Sequence, residues 1–221
     1  SAASGTSSND STTLTLAINA DILTTDPQAL NNGTTTSVLY NVFSNLVKYD
    51  DAGEIVMDLA ESYELLEDQV TWEFKIREDA VFHDGTPVTA EDVAWSLTRV
   101  MTDESSSDYM NFSPLAEAVA VDDYTVQLVT KIPYPVFAGS LVHIMMLDKE
   151  TCEGLTSEEI SANPVGTGRY RLVEHVKESY IKLVRNDEYW GELPDAETVE
   201  FRVIANAATK SGGQAVLGRQ G

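Results

Sequence analysis

Between Gln69 and Arg77, hydrophobic side chains fall on every second position. Val70, Trp72, Phe74 and Ile76 alternate with Thr71, Glu73, Lys75 and Arg77. Successive side chains of an extended strand point to opposite faces, so this spacing predicts a strand buried on one face and wet on the other. Such half-burial is the habit of antiparallel sheets. Downstream the period changes. Asp84-Gly85 is a turn pair in which Gly is free to take positive φ, and Pro87 stiffens the exit. Thr89 is a good helix N-cap, with Asp92 three residues later near the positive end of the helix dipole. Val93, Leu97 and Val100 then recur at helical spacing, with Ala94 and Met101 beside them. The chain is therefore expected to be mixed α and β.

Other segments extend this pattern. Thr13 to Ile18 alternates and predicts a strand, after which Asp26-Pro27 breaks the chain. Thr35 to Val47 predicts a helix, with Val38, Val42 and Leu46 on one face and Leu39, Phe43 and Val47 beside it, all for core packing. Leu46–Tyr49 and Glu54–Val56 flank a hairpin-like turn at Asp50-Asp51-Ala52-Gly53. Asp50, Asp51 and Glu54 lack the spaced oxygen ligands of a calcium loop, so they are expected to be a solvated turn. Val119 to Val129 predicts two strands joined by a tight turn. Pro133 to Phe137 resets direction, and an apolar segment from Phe137 to Met146 follows, with His143 inside it. A short helix is expected at Ser157–Ile160, strand pairs at Tyr170–Glu174 and Tyr180–Arg185, and a last strand at Thr198–Ile204.

Charge narrows the function. The 36 acidic residues outnumber the 14 Lys and Arg, for a net charge of −22. Nucleic-acid binding needs a basic patch, and anionic membranes attract basic segments, so neither partner is expected. No apolar run is long enough to span a bilayer. Cys152 is the one cysteine, so no intrachain disulfide forms. The Ser- and Gly-containing start, residues 1–12, reads as a flexible tether. His83 beside Asp84 suggests an acid/base pair, but an isolated pair of this kind is more often a turn histidine next to a turn aspartate. No Gly-x-Ser-x-Gly elbow is present.

Phe82-His83-Asp84-Gly85-Thr86-Pro87 is followed about eighty residues later by Asn163-Pro164-Val165-Gly166-Thr167-Gly168-Arg169-Tyr170. With Leu23–Pro27, Asn41–Tyr49, Asp58–Tyr63, Trp72–Arg77 and Val184–Gly191, these pieces stand in the order found in the peptide/nickel family of extracytoplasmic solute-binding proteins, which the chain resembles from Leu14 to about Ala208. Tyr63 stands where that family has Trp.

The resemblance implies a periplasmic-binding-protein-like fold in which two lobes close around a ligand. It implies a first lobe I segment at 13–33, an inserted domain at 34–164 and a return to lobe I at 165–221. Family members run much longer, so a chain ending at residue 221 is expected to be a truncated piece, lacking the opposing lobe and the closing strands of lobe I. The implied function is capture of a short peptide for the membrane permease of an ABC importer, without catalysis or cofactor, by a bacterial monomer at the cell surface or in the periplasm. In lipoproteins of the family such a tether follows an acylated cysteine, which implies a lipid anchor. Ligand contacts are expected at Ala20, Asp21, Ile22 and Leu23, at the turn of Asn32, Gly33 and Thr34, and at His143. A nickel or metal-chelate receptor, a secreted hydrolase and a purely structural surface module stay open. One histidine near Met145 and Met146 makes a poor metal site, and the Met pair is expected in the core.

Overall fold

The computed structural model describes residues 12–30 and 32–204. Most of the expected tether, Asn31 and the stretch from 205 to the end of the chain lie outside the described residues. Two four-stranded sheets and a small ribbon carry the fold.

The alternating segment is strand β5 (Thr71–Ile76), at the centre of a sheet with order β4-β5-β7-β6. Its neighbours are β4 (Ala60–Leu65) and β7 (Thr125–Thr130), and β6 (Leu115–Asp122) closes the far edge. All three pairings are antiparallel. Trp72 lies opposite Leu128 and Phe74 opposite Val126, which puts the apolar positions of both strands on one face. That face packs on α2 (Ala90–Thr102), whose Val93, Leu97 and Val100 are fully buried. Phe74, Phe82, Phe112 and Phe137 complete this core, and each such side chain stabilises by about 1.5–3 kcal/mol on burial. The predicted cap is present. The Asp92 carboxylate accepts from the backbone N–H and the hydroxyl of Thr89, each at 2.8 Å.

The second sheet has the order β1-β10-β9-β8. Strands β8 (Tyr170–Val176), β9 (Tyr180–Arg185) and β10 (Thr198–Val203) are antiparallel neighbours, while β1 (Thr13–Ile18) adds in parallel to β10. Ile181, Leu183, Val199 and Phe201 form the buried face. Leu14 and Leu16 share that face by register with Val199 and Phe201, yet at the sheet edge they stay 46% and 40% exposed.

The core of the second sheet also takes in residues from the 34–164 segment. Val38, Leu39, Val42 and Phe43 pack against the second sheet, as do Met145, Leu147, Cys152 and Ile160. Met146 belongs to the other core, so the adjacent methionines are buried on opposite sides of the chain.

The helix expected over Thr35–Val47 ends early. Helix α1 is Gly33–Leu39, and residues 47–49 form strand β2 (Val47–Tyr49) of a ribbon with β3 (Ile55–Met57). The carbonyls of Asn41 and Val42 bond instead to the N–H groups of Tyr170 and Gly168, at 2.9 and 2.8 Å. The Asn45 N–H is taken by the Asp58 carboxylate at 3.1 Å. These tertiary partners occupy groups that a continuing helix would bond four residues along. Every apolar residue of the expected stripe is buried all the same. The ribbon turns at Asp50–Gly53, where Gly53 adopts φ +81° and Asp50 Oδ1 accepts from the N–H groups of Ala52 and Glu54. The other short elements are α3 (Phe137–Ser140), a 3-10 turn at Leu141–His143, α4 (Lys149–Cys152) and α5 (Ser157–Ala162), the last opened by a capping box of Thr156 and Glu159.

Candidate ligand-binding site

The two most distinctive sequence stretches meet in space. The His83 N–H donates to the Gly166 carbonyl at 2.8 Å, and the Gly166 N–H donates to His83 Nδ1 at 3.3 Å. With Nδ1 accepting, the ring proton sits on Nε2, which donates to the Gly168 carbonyl at 3.0 Å. Burial holds the His83 imidazole down at about 4, with help from the nearby Arg171 cation and against the pull of its Gly168 bond and Asp84. Asp84 turns elsewhere, accepting from the Thr86 N–H and hydroxyl. His83 is therefore a lock and Asp84 a turn residue, and their side chains do not meet as an acid/base couple. The glycines are dictated by close approach: a Cβ on Gly166 would lie 2.0 Å from the Val42 carbonyl oxygen, and one on Gly168 would lie 2.4 Å from that of Asn41.

This crossover forms one wall of a cavity of about 550 Å³. Tyr40, Asn41 and Asn45, which follow α1, supply a second wall, and Lys48, Asp50, Asp51 and Asp58 come from the ribbon and its flank. Tyr40 donates its hydroxyl proton to the Val142 carbonyl at 3.0 Å, and Asn45 Nδ2 donates to the same carbonyl. Lys48 Nζ is paired with Asp58 at 2.8 Å. Arg169 leaves the crossover with its guanidinium 5.6 Å from the centre of the Tyr189 ring, and Tyr189 in turn packs at a tilt of 37° against Trp190, with ring centres 4.4 Å apart. A second cavity of about 540 Å³ shares Tyr49 with the ribbon and is rimmed by Met110, Tyr134, Val136 and His143. Met110 and Val136 are 72% and 66% exposed, so this groove carries an open apolar rim.

The residues expected to touch ligand fall into two places. Ala20–Leu23 and Asn32–Thr34 are neighbours: the Leu23 N–H donates to Thr35 Oγ1 at 3.1 Å, and Thr34 Oγ1 donates to Asn19 at 3.3 Å. Within this group Asn32 caps α1, and Ile22 is buried in the second core. Asp21 accepts from the His175 ring at 2.9 Å and from the Glu178 N–H at 2.8 Å. Its partial burial acts against the charged form, but these bonds outweigh it and hold the carboxyl below its usual range. Ala20 and Leu23 are exposed. His143 stands apart from them, exposed on its 3-10 turn at the second cavity. Sequence reasoning did not select Tyr40, Lys48, Arg169 or Tyr189. Arg169 and Tyr189 lie inside motifs already singled out, and only their stacking reveals a shared surface.

Two sheets with separate cores thus meet at a glycine crossover beside open cavities. The chain matches the sequence model of the bacterial extracellular solute-binding proteins, family 5 (middle), over residues 54–213, and it belongs to that family of substrate-binding receptors. A Brucella ovis protein named for peptide binding in an ABC transporter is 31% identical over 191 residues, which cover 83% of this chain and 36% of the relative. NikZ of Campylobacter jejuni, solved with Ni(L-His), superposes with a TM-score of 0.81 at 26% identity, over 90% of this chain and 40% of that one. DppA of Helicobacter pylori, solved with the peptide STSA, gives the same TM-score and identity, over 90% of this chain and 44% of that one. The chain thus spans about a third of the length of the curated relatives that it matches first.

Proposed function

We propose that the protein carrying this chain captures short peptides outside the cytoplasm and hands them to the membrane permease of an ABC importer. The observation that carries the reading is the open cavity beside the crossover. It falls in the size range of small-ligand sites, about 300–1,000 Å³, and combines aromatic faces, amides and charged groups of both signs, which suits a peptide. The Brucella relative named for peptide binding and the peptide-bound DppA structure support it. A second lobe would close over this face and bury the ligand on both sides. On this reading Ala20–Leu23, Asn32–Thr34 and His143 stand at the margins of the ligand surface. Residues 13–33 and 165–204 belong to lobe I, and the core contacts of Val38–Phe43 and Met145–Ile160 extend that lobe into the 34–164 segment. The receptor acts as a monomer, as a periplasmic protein or anchored through a lipidated terminus.

A nickel-chelate receptor is the second reading, favoured by the NikZ complex. Among the described residues no group of three His, Cys, Asp or Glu side chains is arranged to hold a metal, so a chelate would have to bring its own ligands. No helix among the described residues is long and apolar enough to cross a membrane.

Titration calorimetry of the whole protein against di- to pentapeptides, nickel–histidine and free nickel separates these readings. Peptide binding with no response to nickel chelates is expected. Binding of nickel–histidine alone would replace the peptide reading with the metal one.

A further inference from the structure

We infer that Arg169 is a specificity-determining residue that receives a carboxylate of the bound solute in the cavity beside the crossover; the inference rests on the receptor reading above. Its backbone is pinned from both sides. The Gly168 N–H bonds to Val42, the Tyr170 N–H bonds to Asn41, and the Arg169 carbonyl accepts from the Asn186 N–H at 2.8 Å. Its side chain is held against Tyr189, which is only 8% exposed and therefore a fixed platform. The guanidinium is exposed at the cavity and makes no ion pair or side-chain hydrogen bond among the described residues. In a chain with 36 acidic residues, a pre-positioned guanidinium whose donors find no partner among the described residues stands out.

The other charges of the cavity refine the ligand. Lys48 is already neutralised by Asp58. Asp50 and Asp51 line the same cavity and have no cationic partner among the described residues. Their charge disfavours a second anionic group and suits an ammonium. The fitting solute is a zwitterion with one carboxylate, received by the planar fork of Arg169 in the bidentate geometry that arginine offers and lysine does not.

The test uses the whole protein, with trialanine and its C-terminal amide as probes in calorimetry. Charge-assisted hydrogen bonds imply that the free acid binds about tenfold to a hundredfold more tightly than the amide. In Arg169→Gln the acid should fall to the affinity of the amide, and Arg169→Lys should recover only part of the difference. A second measurement needs neither a variant nor a peptide. Sodium acetate titrated into ¹⁵N-arginine-labelled wild-type protein should shift the Arg169 Nε–H resonance saturably. An acid-to-amide ratio unchanged by Arg169→Gln, or an Nε–H resonance that acetate does not move to saturation, overturns the inference even if peptides bind. Saturation by acetate without any trialanine binding would keep the carboxylate site and remove the peptide reading instead.

Discussion

Replacing His83 should uncouple the crossover from pH. In the native fold its neutral ring accepts from the Gly166 N–H and donates to the Gly168 carbonyl. Its folded value is depressed from 6.5 to about 4. A displacement of that size corresponds to roughly 3 kcal/mol between the two protonation states. The sign follows from which state takes up the proton. The unfolded chain protonates near 6.5 and the folded chain only near 4, so between these values the unfolded state binds more protons. The stabilisation is complete above about pH 6.5, is lost as pH falls through the window from 6.5 to 4, and changes no further below it. About 2 kcal/mol should be gone by pH 5. At neutral pH, His83→Ala leaves the Gly166 N–H without its acceptor, at a cost of about 1–3 kcal/mol. The Gly168 carbonyl keeps its bond from Asn186 Nδ2 at 3.2 Å. His83→Asn should lose less, because its Oδ1 stands near the position of Nδ1 and does not titrate. Urea unfolding of wild type and both variants from pH 7.5 to 5 should show the gap closing towards acid pH. The His83 ring resonances should titrate near 4. A gap that stays constant over this window, with a ring midpoint near 6.5, would refute the reasoning.

Three further outcomes follow from packing. Gly168→Ala puts a methyl 2.4 Å from the Asn41 carbonyl oxygen, backbone that cannot yield cheaply, and should destabilise by at least about 3 kcal/mol in thermal unfolding. Asp26→Ala strips the partner from Arg99, whose guanidinium bonds the fully buried Asp26 carboxylate and Gln28 Oε1; about 3–5 kcal/mol should be lost, and a loss under 1 kcal/mol would mean that the pair is solvated. Thr156→Ala removes the capping box of α5 and should cost about 1 kcal/mol, read as faster hydrogen exchange at Glu159, whose N–H the Thr156 hydroxyl accepts.

The legible parts of the fold are those whose physics is local. The alternation at Val70–Ile76, the turn and cap from Asp84 to Asp92, and the hairpins at Asp50–Gly53 and Asp122–Thr125 depend on residues two to four apart. Each is present as the sequence predicts. The family resemblance was carried by short motifs in order, and the family is the one that the chain belongs to. The candidate site depends on contacts that are not local: Asp21 bonds the β8–β9 hairpin, Ile22 packs in the second core, and the contact of Arg169 with Tyr189 joins two separate motifs.

The amino-acid sequence by itself determined strand and helix periods, the turns and the burial of the apolar stripes, because these follow from backbone sterics and from water's exclusion of hydrocarbon. Tertiary structure decided the rest. It paired β1 with β10 in parallel across the length of the described chain, a contact that no local spacing encodes. It ended α1 at Leu39 by giving the Asn41 and Val42 carbonyls to Tyr170 and Gly168. It turned His83 from a surface turn residue into a half-buried lock, and laid Arg169 across Tyr189. Each of these joins groups distant in sequence, and which distant groups meet is set by how the two cores pack.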